Sequence, residues 1–435
     1  MANIEAVDEA TQRQEGNGSQ ENRIERLARE ISISLETPRP PLTFNCCIYK
    51  TPDVIRKQNK AAYSPNVVSI GPYHHGKSKL EYMEKFKSTY VKNFLERVRN
   101  VGLLEDYLRT LTGLEDRIRK CYAEQVKMSS GKFLRMIITD SCFIFEYFLR
   151  LDSNQQWAVE DHVLLKPWLV GAIYVDLILL ENQIPFFVLK QLYDMAFPEG
   201  SGIPFTDLTS SFFNDLKVNV LEHNAEVVTE RVEHFTHLIR EFFLPPTDER
   251  LEWETSSQIV EHLPSASQLH EIGLKFRAVR GNGSIHLRFG NGQLEMAPFK
   301  VYDDIEIHIR NVMAFEQCHY ADNHYVSQYM FLLDFLINTA KDVELLVDKG
   351  IITNALGDSK AVATMVNSLR KNIITPGVHS HYHEVCCQVN KFYRSRYHRW
   401  CTNLRRDYCG TPWKIVGSAA AVLLIVFTFV QMPSH

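Results

Sequence analysis

Residues 173–192 read IYVDLILLENQIPFFVLKQL, two apolar runs that are separated by a polar triplet and a proline. The length of each run favours buried helix, and Pro185 predicts a kink or break because it lacks an N–H donor and crowds the preceding turn. Glu181, Asn182 and Gln183 must be hydrogen-bonded if they are buried. They could form a catalytic or ligand-binding cluster, or satisfy the backbone groups that the break frees. We favour the second interpretation.

Helical periodicity extends from this segment over most of the chain. Apolar residues recur at helical spacing in several further stretches, which predicts a mainly α fold. The predicted helices cover residues 80–110, 132–151, 162–197, 205–245, 311–346, 361–370 and 381–408. A shorter amphipathic helix is predicted from Ile24 to Leu35, before the prolines at positions 38, 40 and 41.

The pattern changes to alternation between residues 272 and 300. Leu274, Phe276 and Ala278 alternate with basic residues, and alternation resumes after Gly281-Asn282-Gly283 and again after Asn291-Gly292. Asn-Gly pairs between alternating segments are a strong hairpin signal. We therefore predict three or four short antiparallel strands, a small β-meander inserted into a large helical domain (α+β).

Composition excludes several classes of protein. The 435 residues are 45% hydrophobic and 23% charged, as in globular proteins. With 48 basic and 52 acidic residues the net charge is −4, which argues against nucleic-acid binding through bulk charge. None of the nine cysteines forms a C-x-x-C pair, and we expect free thiols in a reducing compartment.

The C-terminus carries an uncharged apolar run, IVGSAAAVLLIVFTFV, at residues 415–430. With its flanks it reaches the length of a transmembrane helix, which we predict over residues 412–432. The alternative is a buried helix that ends the fold. The predicted membrane-anchor residues are Trp413, Ile415, Val416, Leu423, Leu424, Ile425, Val426, Phe427, Phe429 and Val430.

A basic flank precedes this run and predicts its orientation. Positive flanks stay on the cytoplasmic side and can contact anionic lipid. The flank consists of Lys391, Arg394, Arg396, Arg399, Arg405, Arg406 and Lys414. The N-terminus lacks the pattern of a secretory signal. We therefore expect a single-pass, tail-anchored protein that faces the cytosol from the endoplasmic reticulum or plasma membrane.

These features predict four regions. Residues 1–41 form a disordered or weakly helical tail, and residues 42–411 form the globular domain. The transmembrane helix and a short tail at 433–435 follow.

Histidines give two further candidate sites. His74 or His75 could act as a general base, but no partner nucleophile is identifiable. His379, His381 and His383 could share one face of a strand and bind a metal, but the segment precedes a helix, which favours a solvated helix start. We predict no catalytic, cofactor-binding or metal-binding set. No Walker A, G-x-S-x-G, H-E-x-x-H or kinase motif occurs.

Several segments together resemble a plant family, domain of unknown function 247. They are IYKTPDVIRKQNKAAYSPNVVSIGPYHHG at 48–76, MEKFK at 83–87, LRMIITDSCFIFEYF at 134–148, DLILLENQIPFFVLKQL at 176–192, EIGLKF at 271–276, RNVMAFEQC at 310–318 and the PWKIVGSAAA that starts at 412. Their motif residues without an assigned role are Gly71, Pro72, Tyr73, His74, His75, Asp176, Glu181, Asn182, Gln183, Pro185, Asn311, Glu316 and Gln317.

The resemblance implies a plant protein that usually ends in one membrane span and has no established enzymatic activity. Some grass members are implicated in pollen–stigma self-incompatibility, where they look like recognition determinants. We therefore expect a membrane-tethered recognition or signalling scaffold with unidentified protein partners and no nucleic acid. The alternative is a membrane-associated enzyme, such as a hydrolase using His74 or His75 with Glu181.

Overall fold

The structure is a computed structural model that describes residues 24–32, 46–98, 102–152, 161, 163–198, 202–214, 231–245, 255–256, 260–280, 285–374, 377–395 and 412–430. The chain divides into two units, Met1–Cys46 and Cys47–His435. The first unit contains an exposed helix over residues 24–32, with an Arg26–Glu30 ion pair at 3.4 Å. This helix was predicted from its apolar spacing.

The second unit is built mainly from helices. In chain order they are α1 (Asp53–Arg56), α2 (Glu81–Val98), α3 (Leu103–Lys120), α4 (Ser130–Asp152), α5 (Pro167–Ile178), α6 (Phe186–Ala196), α7 (Phe205–Phe212), α8 (Phe235–Phe243), α9 (Ala266–Glu271), α10 (Ile305–His319), α11 (Tyr325–Leu336), α12 (Ala340–Asp348), α13 (Ser359–Leu369), α14 (Ser380–Arg394) and α15 (Pro412–Val430). Short 3-10 turns occupy Lys60–Tyr63 and Ser78–Leu80.

The break at Pro185 is confirmed. Helix α5 ends at Ile178, and Pro185 caps the start of α6 with φ −56° and ψ 132°. The residue before a proline disfavours helical backbone, and proline is well suited to begin a helix. The polar triplet therefore lies in the turn between two buried helices.

Three predicted helices are wrong in extent. The stretch 311–346 contains three helices, because the backbone is extended at the ends of α10 and α11. The stretch 205–245 contains α7, which ends at Phe212, and α8, which begins after the extended residue His234, while residues 215–230 lie outside the described ranges. Helix α14 ends at Arg394, where Ser395 takes an extended conformation, so the prediction to residue 408 is too long.

The core centres on α4, which has buried side chains on most sides of the helix. It packs against α2 and α7 through aromatic contacts. Phe148 stacks on Phe212 with ring centroids 4.0 Å apart, and Phe145 meets Phe94 at 5.5 Å. Large aromatic side chains bury much apolar area, which stabilises this centre.

A small sheet joins β2 (Lys275–Ala278), β4 (Gln293–Met296) and β3 (Leu287–Gly290) in that order. Strands β3 and β4 form the predicted hairpin, with positive φ at Asn291 (51°) and Gly292 (72°), as a type I′ turn requires. Strand β2, however, pairs with β4 in parallel, so the predicted antiparallel meander is wrong. The Gly281-Asn282-Gly283 turn lies outside the described residues.

The remaining strands pair elsewhere. Strand β5 (Phe299–Val301) runs parallel to β6 (Ile352–Asn354), and β1 (Thr255–Ser256) runs antiparallel to β7 (Val378–His379). The fold is thus mainly helical with a small sheet of few strands, as predicted at that level. Within the described residues no disulfide bond joins the cysteines.

Candidate functional site

The polar triplet between α5 and α6 is buried, and its two amide side chains bond to backbone groups. Asn182 Oδ1 accepts from Ile70 N (2.7 Å), while its Nδ2 donates to Val68 O (3.1 Å) and Asp176 O (2.8 Å). This side chain therefore fastens the loop before Gly71 to the end of α5.

Gln183 serves the helix ends in the same way. Its Nε2 donates to the Leu177 and Leu179 carbonyls at 2.7 and 2.8 Å, and its Oε1 accepts from Phe235 N at 3.0 Å. These are carbonyls that the end of α5 leaves without helical partners and an N–H at the start of α8. The structural interpretation of the triplet accounts for both amide residues.

Asp176, near the end of α5, binds the same loop at residues 66–68. Its carboxylate accepts from the backbone N–H groups of three consecutive residues, 66 to 68, at 2.7–2.9 Å. Burial raises the pKa of Asp176 to about 6, and the three amides oppose this shift. Its charge is thus directed at backbone rather than at an open surface.

Glu181 and His74 are brought together, as the hydrolase alternative requires. Glu181 accepts from Thr51 N at 2.7 Å and from Arg56, and its Oε2 lies 3.1 Å from His74 Nε2 without hydrogen-bond geometry. His74 Nδ1 lies 2.6 Å from Lys77 Nζ. Burial, followed by the positive charges of Lys77 and Arg56, lowers the pKa of His74 to about 3.

This arrangement makes His74 a poor general base. At neutral pH the ring is neutral and Nδ1 accepts from the Lys77 ammonium, so Nε2 carries the ring proton and has no lone pair with which to act as a base. His75 is exposed and does not join the cluster. The histidine pair therefore does not act jointly.

A buried ion pair between Lys87 and Asp140, which the sequence analysis did not predict, holds the loop at Gly71. Lys87 Nζ donates to Asp140 Oδ1 (2.6 Å), Glu84 Oε1 (2.6 Å) and the Ser69 carbonyl, and Gly71 N donates to Asp140 Oδ2 (2.9 Å). Burial raises the pKa of Asp140, which Lys87 counteracts. The charged Asp140 between the apolar residues 136–138 and 142–145 of α4 was the available signal.

Asn311 ties the network to α10. Its Oδ1 accepts from Leu180 N (3.0 Å), and its Nδ2 donates to Ala62 O (2.7 Å) and Ile307 O (2.8 Å). We call the side chains of Asp140, Asp176, Glu181, Asn182, Gln183 and Asn311 the motif network. Every one of them bonds to backbone from another part of the chain.

The other motif residues have separate positions. Glu316 accepts from Arg240 Nε, Val326 N and the Ser327 N–H and hydroxyl at 2.7–3.1 Å. Gln317 exchanges two hydrogen bonds with the backbone of Ile374. Tyr73 Oη donates to Ile48 O at 3.3 Å, and Pro72 is half-buried beside it.

Comparisons with known proteins identify the family of this chain. A family model described as "Plant protein of unknown function", domain of unknown function 247, matches residues 48–427. The chain belongs to this family. It is similar to "UPF0481 protein At3g47200" of Arabidopsis thaliana, at 30% identity over 89% of this chain and 85% of the relative.

A second relative of this chain is more distant. "Putative UPF0481 protein At3g02645" of Arabidopsis thaliana is 21% identical over 88% of this chain and 89% of its own length. No solved structure matches. The resemblance inferred from the motifs is thereby confirmed, and the relatives' names assign no activity.

The three histidines that precede α14 do not converge in this family member. His379 is buried and stacks on Tyr325 with ring centroids 4.4 Å apart, His381 Nε2 lies 2.7 Å from Leu287 O, and His383 lies beside Cys387. The helix start is as predicted, but His379 is fully buried, so the expectation of a solvated segment is wrong for it. Core packing against α11 explains the difference.

The C-terminal apolar segment forms α15. Its described side chains are exposed, with Leu424 at 68% and Phe427 at 62%, and Val416, Leu423, Ile425 and Val426 behave alike. Among the residues that the structure describes, no helix combines the length and apolar character needed to cross a membrane. The transmembrane span is thus not supported by the structure and stays a prediction.

Much of the predicted anchor and flank lies outside what the structure describes. Of the flank, Lys391 is exposed and Arg394 pairs with Glu261 at 2.8 Å. The positions without described side chains or backbone are Trp413, Lys414, Ile415, Phe429, Val430, Arg396, Arg399, Arg405 and Arg406.

Proposed function

We propose that this protein is a recognition or signalling scaffold, held at a membrane by its C-terminal helix with its body facing the cytosol. The observation that carries the proposal is what the side chains of the motif network bond to. These buried polar side chains bond to backbone groups inside the fold, whereas the reactive groups of an enzyme face a substrate pocket. The motifs therefore support a rigid body that presents its surface to partners.

One surface offers the side chains that protein interfaces use. At the start of α5, Trp168 is 66% exposed and Leu165 is 51% exposed. Gly171 follows at helical spacing, and a Cβ built there would meet no atom within 4 Å. Exposed tryptophan is enriched among the residues that dominate binding energy. We call Leu165, Trp168 and Gly171 the Trp168 surface.

The membrane part of the proposal has its own support. The exposed valine, leucine and phenylalanine side chains of α15 are unfavourable in water and suit a lipid environment. Carbonate extraction of the full-length protein tests it. Retention in the membrane pellet is expected, and release into the supernatant contradicts the tether.

Proximity labelling in plant cells tests recognition. Trp168→Ala is compared with the wild type and with Ile374→Ala, which removes another highly exposed apolar side chain (72%). We expect a discrete, saturable protein set that Trp168→Ala loses and Ile374→Ala keeps. A set that is the same for both variants, or only abundant membrane proteins, contradicts recognition through this surface.

The hydrolase remains the second candidate because His74 and Glu181 lie 3.1 Å apart. It requires that Glu181→Gln abolish a measurable hydrolysis while leaving the melting temperature unchanged. The hydrogen bonds of Glu181 predict the opposite, a loss of stability.

A further inference from the structure

A second polar cluster lies apart from the motif network, where the segment at Cys47 meets the start of α8. Cys47 Sγ, a carboxylate oxygen of Glu233 and a ring nitrogen of His234 all lie within 4.8 Å of one another. Cys47 and His234 are buried, and the Glu233 side chain is 30% exposed. The residues come from distant parts of the sequence, so the fold itself creates the cluster.

Glu233 is the least satisfied member of this cluster. Among the described residues its Oε2 is buried and has no hydrogen-bond partner. It lies 3.4 Å from His319 Nε2 and 3.8 Å from His237 Nδ1, distances without hydrogen-bond geometry. A buried carboxylate oxygen without a donor calls for a missing partner, and a cation is one.

The donor set identifies the chemical class of that cation. Thiolate and imidazole favour borderline metals such as zinc, while Ca²⁺ and Mg²⁺ prefer oxygen ligands. Bond lengths of about 2.0–2.3 Å place the ligands of a tetrahedral zinc ion about 3.5 Å apart, so these side chains, which lie within 4.8 Å of one another, must draw together on binding.

We propose that Cys47, Glu233 and His234 bind a zinc-class divalent ion that fastens the Cys47 segment to α8. On binding, the thiol of Cys47 gives its proton to the buffer and the thiolate bonds to the metal. His234 Nε2 lies 3.0 Å from Cys47 O, and Nδ1 accepts from His237 N at 3.2 Å. Because Nε2 donates its proton to Cys47 O, the ion binds the Nδ1 lone pair and displaces the His237 N–H, while the bond from Nε2 keeps the ring oriented, as a second partner does for metal-bound histidine.

Segment 47–49 also pairs with residues 121–123, through the Ile48–Tyr122 bridge and the bond from Cys47 N to Cys121 O at 3.0 Å. An ion at Cys47 would therefore connect α8 with the end of α3. This predicts that metal raises the melting temperature of the chain.

The test is a titration of the chelator-treated full-length protein in detergent with Co²⁺ and then Zn²⁺. Cobalt bound to thiolate gives a charge-transfer absorption band that reports the sulfur ligand directly. We expect one equivalent of Co²⁺ with this band, its displacement by Zn²⁺, and a rise in melting temperature. Absence of stoichiometric binding overturns the proposal.

Variants locate the ion. Cys47→Ser should lose the band and more than about 100-fold in Zn²⁺ affinity, and Glu233→Gln at least about tenfold. Cys387→Ser is the matched control, because Cys387 Sγ lies 3.6 Å from His383 Nε2 on the exposed side of α14. It should retain full binding. A band lost in Cys387→Ser and kept in Cys47→Ser overturns the assignment; if Cys47→Ser does not fold, unchanged affinity in Glu233→Gln overturns it.

Discussion

Gly71 lies against the Gln183 carbonyl so closely that a Cβ built on Gly71 would come within 2.3 Å of that oxygen. The carbonyl cannot easily move, because Tyr122 Oη donates to it at 3.0 Å. Gly71 also has φ +70°, a conformation that residues with a Cβ disfavour. The motif glycine is thus required where the loop meets the turn between α5 and α6.

Gly71→Ala should therefore destabilise the protein strongly. The left-handed backbone and the overlap with a fixed carbonyl together should lower the free energy of unfolding by about 2–4 kcal/mol. Urea denaturation followed by circular dichroism measures the change.

Gly76→Ala is the matched control for this prediction. Gly76 has a similar φ of +78°, but a Cβ there would meet no atom within 4 Å. Only the backbone cost, about 1 kcal/mol, should remain. Equal losses at both glycines would show that the contact with Gln183 is not important.

Lys87→Met should also destabilise the fold, because it leaves the buried Asp140 carboxylate without its cation. Breaking a buried ion pair from one side costs about 3–5 kcal/mol. The unfolding free energy of the single variant gives this value.

A double-mutant cycle with Asp140→Asn separates the pair from general damage. The double variant removes both charges, so its loss should be about 1–3 kcal/mol smaller than the sum of the two single losses. Strict additivity would mean that Lys87 and Asp140 do not stabilise each other.

Acid should weaken the fold through buried histidines such as His308. Burial lowers the pKa of His308 to about 3, below the ordinary value of 6.5. The unfolded chain therefore binds the proton first, so the stability that the neutral ring allows is complete above pH 6.5 and falls as pH drops toward 3. At pH 5 the loss from this residue should reach about 2 kcal/mol.

His308→Gln removes this titration. Unfolding free energies at pH 8 and pH 5 should differ by about 2 kcal/mol less in the variant than in the wild type. Identical pH dependence in the two proteins would contradict the account of His308.

Local signals in the sequence were sufficient for several features. Pro185 predicts the break between α5 and α6 because its effect is confined to its own turn. Asn291-Gly292 predicts the β3–β4 hairpin because positive φ at both residues selects that turn. The structural role of Asn182 and Gln183 follows from the cost of burying unpaired amides.

Other features depend on contacts between distant residues, which periodicity does not contain. Strand β2 pairs in parallel with β4 and not with β3, the next strand in the sequence, and periodicity does not contain this strand order. Lys87 and Asp140 lie 53 residues apart, and Cys47 and His234 lie 187 apart. The sequence does not show which residues become partners, and only the packed helices bring them together.

The unfolding free energy of Glu181→Gln tests the central claim, that the family's polar motif residues hold the fold together. The substitution keeps the shape of the side chain but removes the charge that accepts from Thr51 N and Arg56. We expect a loss of about 2–4 kcal/mol, because Arg56 is left without its carboxylate partner. Unchanged stability together with loss of function would contradict the structural account and favour a catalytic Glu181.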